Sequence, residues 1–441
     1  MSHFFKQYSP VLLVGVLLGA AVTLVVFRKA PLQPAPPPVA TPLPKLSALA
    51  APPNWPDLEI YQNTITREEF EHLLTNYFTT GEAWRNLIEI RQTEARILTG
   101  EPAPNDVFIL RFATATATSP TPRHWKSAAE LPLTPRHLPL AGLHIAIDPG
   151  HIGGEWAKME ERWFVVGTGT PVIEGNMVLE VAQLLKPRLE ALGATVSLVR
   201  QKNEPITHLR PETLMASLPE TISDSPQKLA ERLFYRTAEI HARAKLVNET
   251  LKPDLVLCLH FNAEAWGDPN NPTLIPRTHL HLLVNGGYND DEVILADQRF
   301  ALLDKLLQRT QQEEILVGST VARTFSEISG LPPYQYPPES KNVRAIPGQP
   351  FLWARNLLAN RLYRCPVIFM EPYVMNSTLD YTRIQAGAYS GLREFEGKMR
   401  PNIFVEYADA LTEGLKNHYL KSRPISSPET LRDPANPNEA E

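Results

Sequence analysis

Residues 143–154 read LHIAIDPGHIGG, an apolar run of strand length that leads into a glycine-containing loop with a histidine. Similar apolar runs recur along the chain, and stretches of helical periodicity separate them, which is typical of an α/β fold. The predicted strands are 143–148, 195–200, 255–260, 278–284 and 367–371, and the predicted helices include 174–192 and 291–312. We therefore expect a mixed, mostly parallel sheet flanked by helices.

Residues that can bind metal or move protons stand where three of these strands end. His151 follows the first strand, His260 ends the third and Glu371 ends the last, while Glu174 begins the helix after the first strand. Because the carboxyl ends of parallel strands share one edge of a sheet, we expect these side chains to meet there. Two imidazoles and a carboxylate can hold Zn²⁺ with one position left open. Each residue alone also fits an ordinary hydrogen-bonded role, so only their joint placement favours a metal site.

Six segments together resemble the zinc-dependent N-acetylmuramoyl-L-alanine amidase family, in order and spacing, over roughly 143–395. They are IAIDPGHIGG (145–154), EGNMVLEVA (174–182), VSLVR (196–200), RAKLVN (243–248), DLVLCLHFNAE (254–264) and CPVIFMEPYVMN (365–376). The resemblance implies a phosphorylase/hydrolase-like α/β fold. It also implies one Zn²⁺ ion held by His151, Glu174 and His260, with Glu371 as the catalytic glutamate.

The resemblance further implies hydrolysis of the amide bond between the lactyl group of N-acetylmuramic acid and L-alanine in peptidoglycan, in cell-wall remodelling. Two alternatives stay open: a zinc peptidase or deacylase on the same fold, and a non-catalytic module that binds the cell wall. Asn262 is a candidate substrate contact, and we interpret Arg243 and Asn248 as structural. His279 and His281 lie on one face of a strand. We interpret them as ordinary residues of an edge strand, rather than as ligands or substrate contacts.

The chain departs from the family pattern in three places. Ile152 follows the first histidine where the family usually has glycine, and the loop 153–171 lacks the family's D-x-G-A pattern. The segments 201–242 and 331–350 are longer than usual, and a regulatory hypothesis is that they cover the cleft.

The N-terminal region predicts a membrane tether. Residues 10–27 carry no charge and would span about 27 Å as a helix, close to the thickness of a bilayer core. The run is long for a cleaved signal peptide and no small-x-small cleavage site follows directly, which favours a retained anchor over 10–29. Ten prolines within 31–56 then predict an extended spacer. The catalytic domain would lie in the periplasm, anchored to the inner membrane, or be secreted if the segment is cleaved.

These observations divide the chain into six regions. They are a short N-terminal tail (1–9), the anchor (10–29), a proline-rich linker (30–56), an accessory region of unknown role (57–140), the catalytic zinc amidase domain (141–420) and a disordered tail (421–441). Within the accessory region we predict helix over 55–98 and a strand over 105–112. The net charge of −5, without clustered Lys or Arg, argues against nucleic-acid binding. The sequence does not identify an activating protein. Cys258 and Cys365 are too far offset along their strands for a disulfide, so we predict two free thiols.

Overall fold

The computed structural model describes residues 46–100, 106–115, 121–216 and 225–426. Its strands are β1 (Ile88–Ile90), β2 (Glu94–Leu98), β3 (Val107–Arg111), β4 (His144–Pro149), β5 (Trp163–Phe164), β6 (Val172–Ile173), β7 (Thr195–Leu198), β8 (Leu255–Leu259), β9 (Leu280–Val284), β10 (Arg344–Ala345), β11 (Leu352–Ala354), β12 (Val367–Pro372), β13 (Arg393–Phe395) and β14 (Lys398–Arg400).

The α-helices of the same residues are α1 (Arg67–Leu73), α2 (Glu174–Ala191), α3 (Pro211–Met215), α4 (Pro226–Leu233), α5 (Glu239–Lys245), α6 (Asp290–Val293), α7 (Ala296–Gln308), α8 (Thr310–Ser329), α9 (Leu358–Leu362), α10 (Thr378–Gln385) and α11 (Ile403–Ser422). The predicted anchor, 10–29, lies outside the described residues. Within the described ranges, no helix combines the length and the apolar character that crossing a bilayer requires.

The central sheet of the described chain has seven strands in the order β10-β11-β9-β12-β8-β4-β7. Strands β7, β4, β8 and β12 are mutually parallel, β9 is antiparallel to β12, and β11 is parallel to β9. The prediction of a mixed, mostly parallel sheet is confirmed. The carboxyl ends of β4, β8 and β12 therefore lie at one edge, together with the start of β9.

Helices cover both faces of this sheet. In β8, Leu255, Leu257 and Leu259 contribute to the core that contains α2, α8 and α11, whereas Val256 and Cys258 contribute to the core beneath α5 and α9. Successive side chains of a strand point to opposite faces. Because both faces are covered, β8 is apolar throughout, as buried parallel strands are.

The accessory region contains an antiparallel sheet, and here one prediction is wrong. Strands β1, β2 and β3 form this sheet in that order, so the helix predicted over 55–98 does not extend through 88–98. In β2, Ala95 and Ile97 are buried while their neighbours are half-buried, an alternation that fits a strand. Earlier in the region α1 lies within the predicted helix and begins after Thr66, whose side chain accepts a hydrogen bond from the Glu69 N–H.

The helix predicted over 291–312 is also wrong as a single element, because the chain forms α6, α7 and α8 instead. Arg309 separates α7 from α8 with a left-handed φ of 58°. Its guanidinium donates to the Glu69 carboxylate at 2.7 Å and to the Thr64 carbonyl oxygen at 2.8 Å. The break therefore coincides with a contact to the accessory region, which local sequence does not encode.

Both cysteines are free and buried, as predicted. Cys258 lies within β8, and Cys365 precedes β12. Burial raises the pKa of the Cys365 thiol to about 12, so this side chain stays protonated. Both side chains act as small apolar core residues.

A buried ion cluster supports the loop at the end of β4. The Arg243 guanidinium donates to Asp148 at 2.9 Å, to Glu239 at 2.8 Å and to the backbone oxygen of His151 at 2.7 Å. Asn248 bonds the backbone of Leu362 and Arg364. Both residues thus make the structural contacts that the sequence indicated.

We expect Arg243→Met to lower the free energy of unfolding by about 3–5 kcal/mol, because it leaves two buried carboxylates without their partner. Urea denaturation measures this change. The matched variant Arg188→Met removes a partly exposed ion pair with Asp409 and should cost less than about 1 kcal/mol. Equal losses in the two variants would contradict the stabilising role of the cluster.

Candidate active site

His151, Glu174 and His260 converge at the carboxyl edge of the central sheet. One ligand atom from each residue lies within 4.8 Å of the other two. The His151 Nε2 atom is 3.2 Å from Glu174 Oε2, and the His260 Nδ1 atom is 3.0 Å from Glu174 Oε1. One carboxylate thus stands between two imidazoles.

The loop between β4 and α2 brings His151 into this cluster. His151 has a left-handed φ of 56°, which turns the chain sharply after the strand. The preceding Gly150 packs against His260, since a Cβ at position 150 would lie 2.2 Å from the Cε1 atom of that ring. Only glycine allows this approach, so the residue before His151 also sets the separation of the two histidines.

His260 and Glu174 are held by backbone and aromatic contacts. The His260 ring stacks on Phe369 with centroids 4.3 Å apart, and its backbone oxygen accepts a hydrogen bond from the Tyr407 hydroxyl at 3.2 Å. Glu174, the first residue of α2, accepts a hydrogen bond from the Phe261 N–H at 3.2 Å. These contacts hold the His260 and Glu174 side chains in position.

Glu160 lies behind His151, and sequence reasoning missed it. Its buried carboxylate accepts hydrogen bonds from the N–H groups of Ile152 and Gly153, and its Oε1 atom is 3.7 Å from His151 Nδ1. Burial tends to raise the pKa of Glu160, but His151 and the two N–H groups outweigh it and lower that pKa. The negative charge is therefore retained beside the ring.

The electrostatics of the cluster favour a positive charge at its centre. Burial tends to lower the pKa of His151, but Glu174 and Glu160 outweigh it and raise that pKa to about 9. Burial also tends to raise the pKa of Glu174, but His151 and His260 outweigh it and lower that pKa well below the usual range. Burial lowers the pKa of His260, which keeps its ring neutral.

Glu371 and the three clustered residues line one cleft of about 680 Å³. Burial and the nearby Glu174 carboxylate raise the pKa of Glu371 above its usual range. Glu371 has no hydrogen bond to another described side chain. It is therefore a half-buried carboxylate with raised proton affinity beside the cluster.

The far wall of the cleft includes His281, and the interpretation of its strand as an edge strand is wrong. Strand β9 lies between β11 and β12, and His281 is directly opposite Glu371 in the β9–β12 register. Asn262 Nδ2 is 3.4 Å from His281 Nδ1, and the Tyr336 hydroxyl is 3.2 Å from His281 Nε2. The sequence could not show that β9 reverses direction and brings its first residues to this edge.

Asn262 lines the cleft, and its role as a substrate contact stays a prediction. Of the two longer segments, 331–350 contributes Tyr334 and Tyr336 to the cleft wall, whereas the described residues of 201–242 contribute nothing. Trp266 also lines the cleft. Trp156 is not among the residues that line the cleft, and its ring packs on Phe234.

The donor set fits a zinc ion. Zn²⁺ takes nitrogen and carboxylate oxygen at about 2.0–2.2 Å in a tetrahedral arrangement, which requires ligand atoms a few ångströms apart. The separations of 3.0 and 3.2 Å between Glu174 and the two imidazoles meet this requirement. All three residues line the cleft, so water or substrate would reach the ion from that side.

No protein-family model matches the chain, and no curated protein matches it. Among solved structures, the chain is similar to the N-acetylmuramyl-L-alanine amidase Ami1 from Mycobacterium smegmatis, with 16% identity, 64% of this chain and 98% of that chain covered, and a TM-score of 0.36. It is also similar to the CwlD amidase from Clostridioides difficile in complex with the GerS lipoprotein, with 11% identity, coverage of 63% and 98%, and a TM-score of 0.35.

A third similar structure is the N-acetylmuramoyl-L-alanine amidase AmiC2 of Nostoc punctiforme, with 14% identity, coverage of 63% of this chain and 98% of that chain, and a TM-score of 0.34. Identity and TM-score are low in all three cases. The function of this chain is therefore inferred from its own side chains.

Proposed function

We propose that this protein is a zinc-dependent amidase that hydrolyses the bond between the lactyl group of N-acetylmuramic acid and L-alanine in peptidoglycan. One observation carries the proposal: His151, Glu174 and His260 form a ligand-like cluster in the same cleft as the half-buried carboxylate of Glu371. The sequence motifs that place these four residues support the choice of substrate.

In the proposed reaction, three residues bind the metal ion and a fourth transfers the proton. His151, Glu174 and His260 would hold the ion, which when bound supplies a water of lowered pKa and polarises the scissile carbonyl. Glu371 takes a proton from the attacking water and returns it to the leaving alanine nitrogen, as a general base and then a general acid. Its raised pKa suits a group that must carry a proton between these steps.

Mass spectrometry of digested peptidoglycan tests this proposal. The full chain, incubated with purified sacculi and zinc, should release stem peptides with a free L-alanine amino terminus and leave glycan with intact lactyl groups. Cleavage between two amino acids of the stem would identify a peptidase instead. Release of acetate would identify a deacetylase.

Glu160→Gln should weaken zinc binding by about 10- to 100-fold, because it removes the negative charge that orients His151. Competition with a chromophoric chelator measures this affinity. Glu155→Gln changes an exposed carboxylate of the same loop and should leave the zinc affinity unchanged. An unaltered affinity in Glu160→Gln would show that the carboxylate supports only the backbone of the loop.

We also propose that residues 10–29 hold the enzyme at the inner membrane and place the domain 141–420 in the periplasm. The apolar run at 10–27 and the proline-rich spacer after it support this location. Fractionation of cells that express the full chain tests it. Recovery in the soluble periplasmic fraction with a shortened N-terminus would show that the segment is cleaved.

A further inference from the structure

Arg355 is a cation in the cleft that has no acidic partner within the described part of the chain. It follows β11 and lines the same cleft as Glu371. Its backbone N–H bonds the Val284 carbonyl oxygen, and among the described residues its guanidinium is within hydrogen-bond distance only of the Tyr336 hydroxyl, at 3.5 Å. No carboxylate of the described residues forms an ion pair with it.

The Tyr336 hydroxyl can donate a hydrogen bond to the same ligand as Arg355. Asn262 can donate an N–H only to an unprotonated His281 Nδ1, which leaves the proton of the neutral ring on Nε2. That Nε2–H then donates to the Tyr336 oxygen at 3.2 Å, and Arg355 approaches the same oxygen. With this tautomer the tyrosine oxygen accepts from both neighbours, which leaves its own O–H as a donor for a ligand in the cleft that Tyr336 lines.

We propose that Arg355 and the Tyr336 hydroxyl form a subsite for a carboxylate of the substrate's peptide, a short distance from the bond that is cut. This inference rests on the proposed function and deepens it. Both groups are donors, and Arg355 carries a full positive charge, which together match the two acceptor oxygens of a carboxylate. Arg355 and Tyr336 would bind the substrate and position it, while Glu371 moves the proton.

Peptidoglycan supplies a suitable group. The second residue of its stem peptide is a D-glutamate linked through its side chain, so the α-carboxyl group next to the alanine is free or amidated. A donor-only subsite accepts the free carboxylate and disfavours the amide, because the amide NH₂ faces other donors. We therefore expect the protein to prefer stem peptides whose D-glutamate has a free α-carboxyl group over those in which this group is amidated.

Peptide binding tests the subsite without any turnover. The probes are L-alanyl-γ-D-glutamyl-L-lysine and the same peptide with its α-carboxyl group amidated, each titrated calorimetrically into the full chain. The wild type should bind the acid about 10- to 100-fold more tightly than the amide, since a charged hydrogen bond contributes on that scale. Equal binding of the two peptides would overturn the proposal, whatever the enzyme hydrolyses.

Two variants assign the preference to the subsite. Arg355→Gln should reduce the acid-to-amide ratio of affinities to about 1, and Tyr336→Phe should reduce it by several-fold. The control Arg393→Gln changes an exposed arginine that contacts Tyr389 and should keep the wild-type ratio. A preference retained in Arg355→Gln would overturn the proposal.

Kinetics with muramoyl-tripeptides separate this subsite from the reaction itself. If kcat/KM in Arg355→Gln falls equally for the acid and the amide, the arginine acts on Glu371 and the subsite is refuted. If the wild type cleaves neither muramoyl-tripeptide but binds the acid peptide selectively, the proposed reaction fails while the subsite stands. The two hypotheses therefore have separate outcomes.

Discussion

Replacing Glu371 by glutamine is expected to lower kcat by about 10²- to 10⁴-fold, the range that general acid–base catalysis contributes. Glutamine has the same shape but cannot accept the proton from water. Zinc content should stay at the wild-type value, because the proposed metal ligands are three other residues. Turnover of a muramoyl-peptide and metal analysis of the same preparation measure the two quantities.

The control is Glu212→Gln, which changes an exposed carboxylate in the first turn of α3, outside the cleft. This variant should turn over at the wild-type rate. Wild-type turnover in Glu371→Gln would exclude Glu371 as the general base. Loss of zinc from that variant would instead place Glu371 among the ligands.

Replacing His260 by alanine is expected to abolish both zinc binding and turnover. It removes one of the three proposed ligands, so the affinity should fall by more than the roughly 10- to 100-fold that substitutions around a ligand cost. The ring also packs on Phe369 and against Gly150, so a small loss of stability should accompany the change. Equilibrium dialysis against buffered zinc measures the affinity.

His137→Ala serves as the matched control, since His137 is exposed in a loop outside the cleft. It should bind zinc and turn over substrate as the wild type does. A melting curve of His260→Ala near that of the metal-free wild type would show that the variant is folded. Stoichiometric zinc in folded His260→Ala would refute the proposed ligand set.

The sequence predicts the parts of the molecule whose local residue pattern is enough to define the element and its place in the sheet. Five of the seven strands of the central sheet lie within two residues of their predicted bounds, because most of them are short apolar runs that are buried on both faces of the sheet. The convergence of His151, Glu174 and His260 follows from the geometry of parallel strands. These features require no knowledge of distant contacts.

Other features depend on contacts between distant parts of the chain. Glu160 approaches His151 only because the loop 153–171 folds back, and nothing in its own sequence marks it. Strand β9 reverses direction, which moves His281 from a supposed edge to the position opposite Glu371. Arg309 breaks a helical pattern where it contacts Glu69. In each case a tertiary contact overrides or supplements the local signal.

X-ray absorption at the zinc edge tests the central claim most directly. The zinc-loaded wild type should contain one ion per chain with nitrogen and oxygen neighbours at about 2.0–2.2 Å, and the scattering pattern should show two imidazoles. No sulfur shell at about 2.3 Å should be present, since both cysteines are buried in the core. A chain that binds no stoichiometric zinc, or a spectrum with fewer than two imidazoles, would contradict the account.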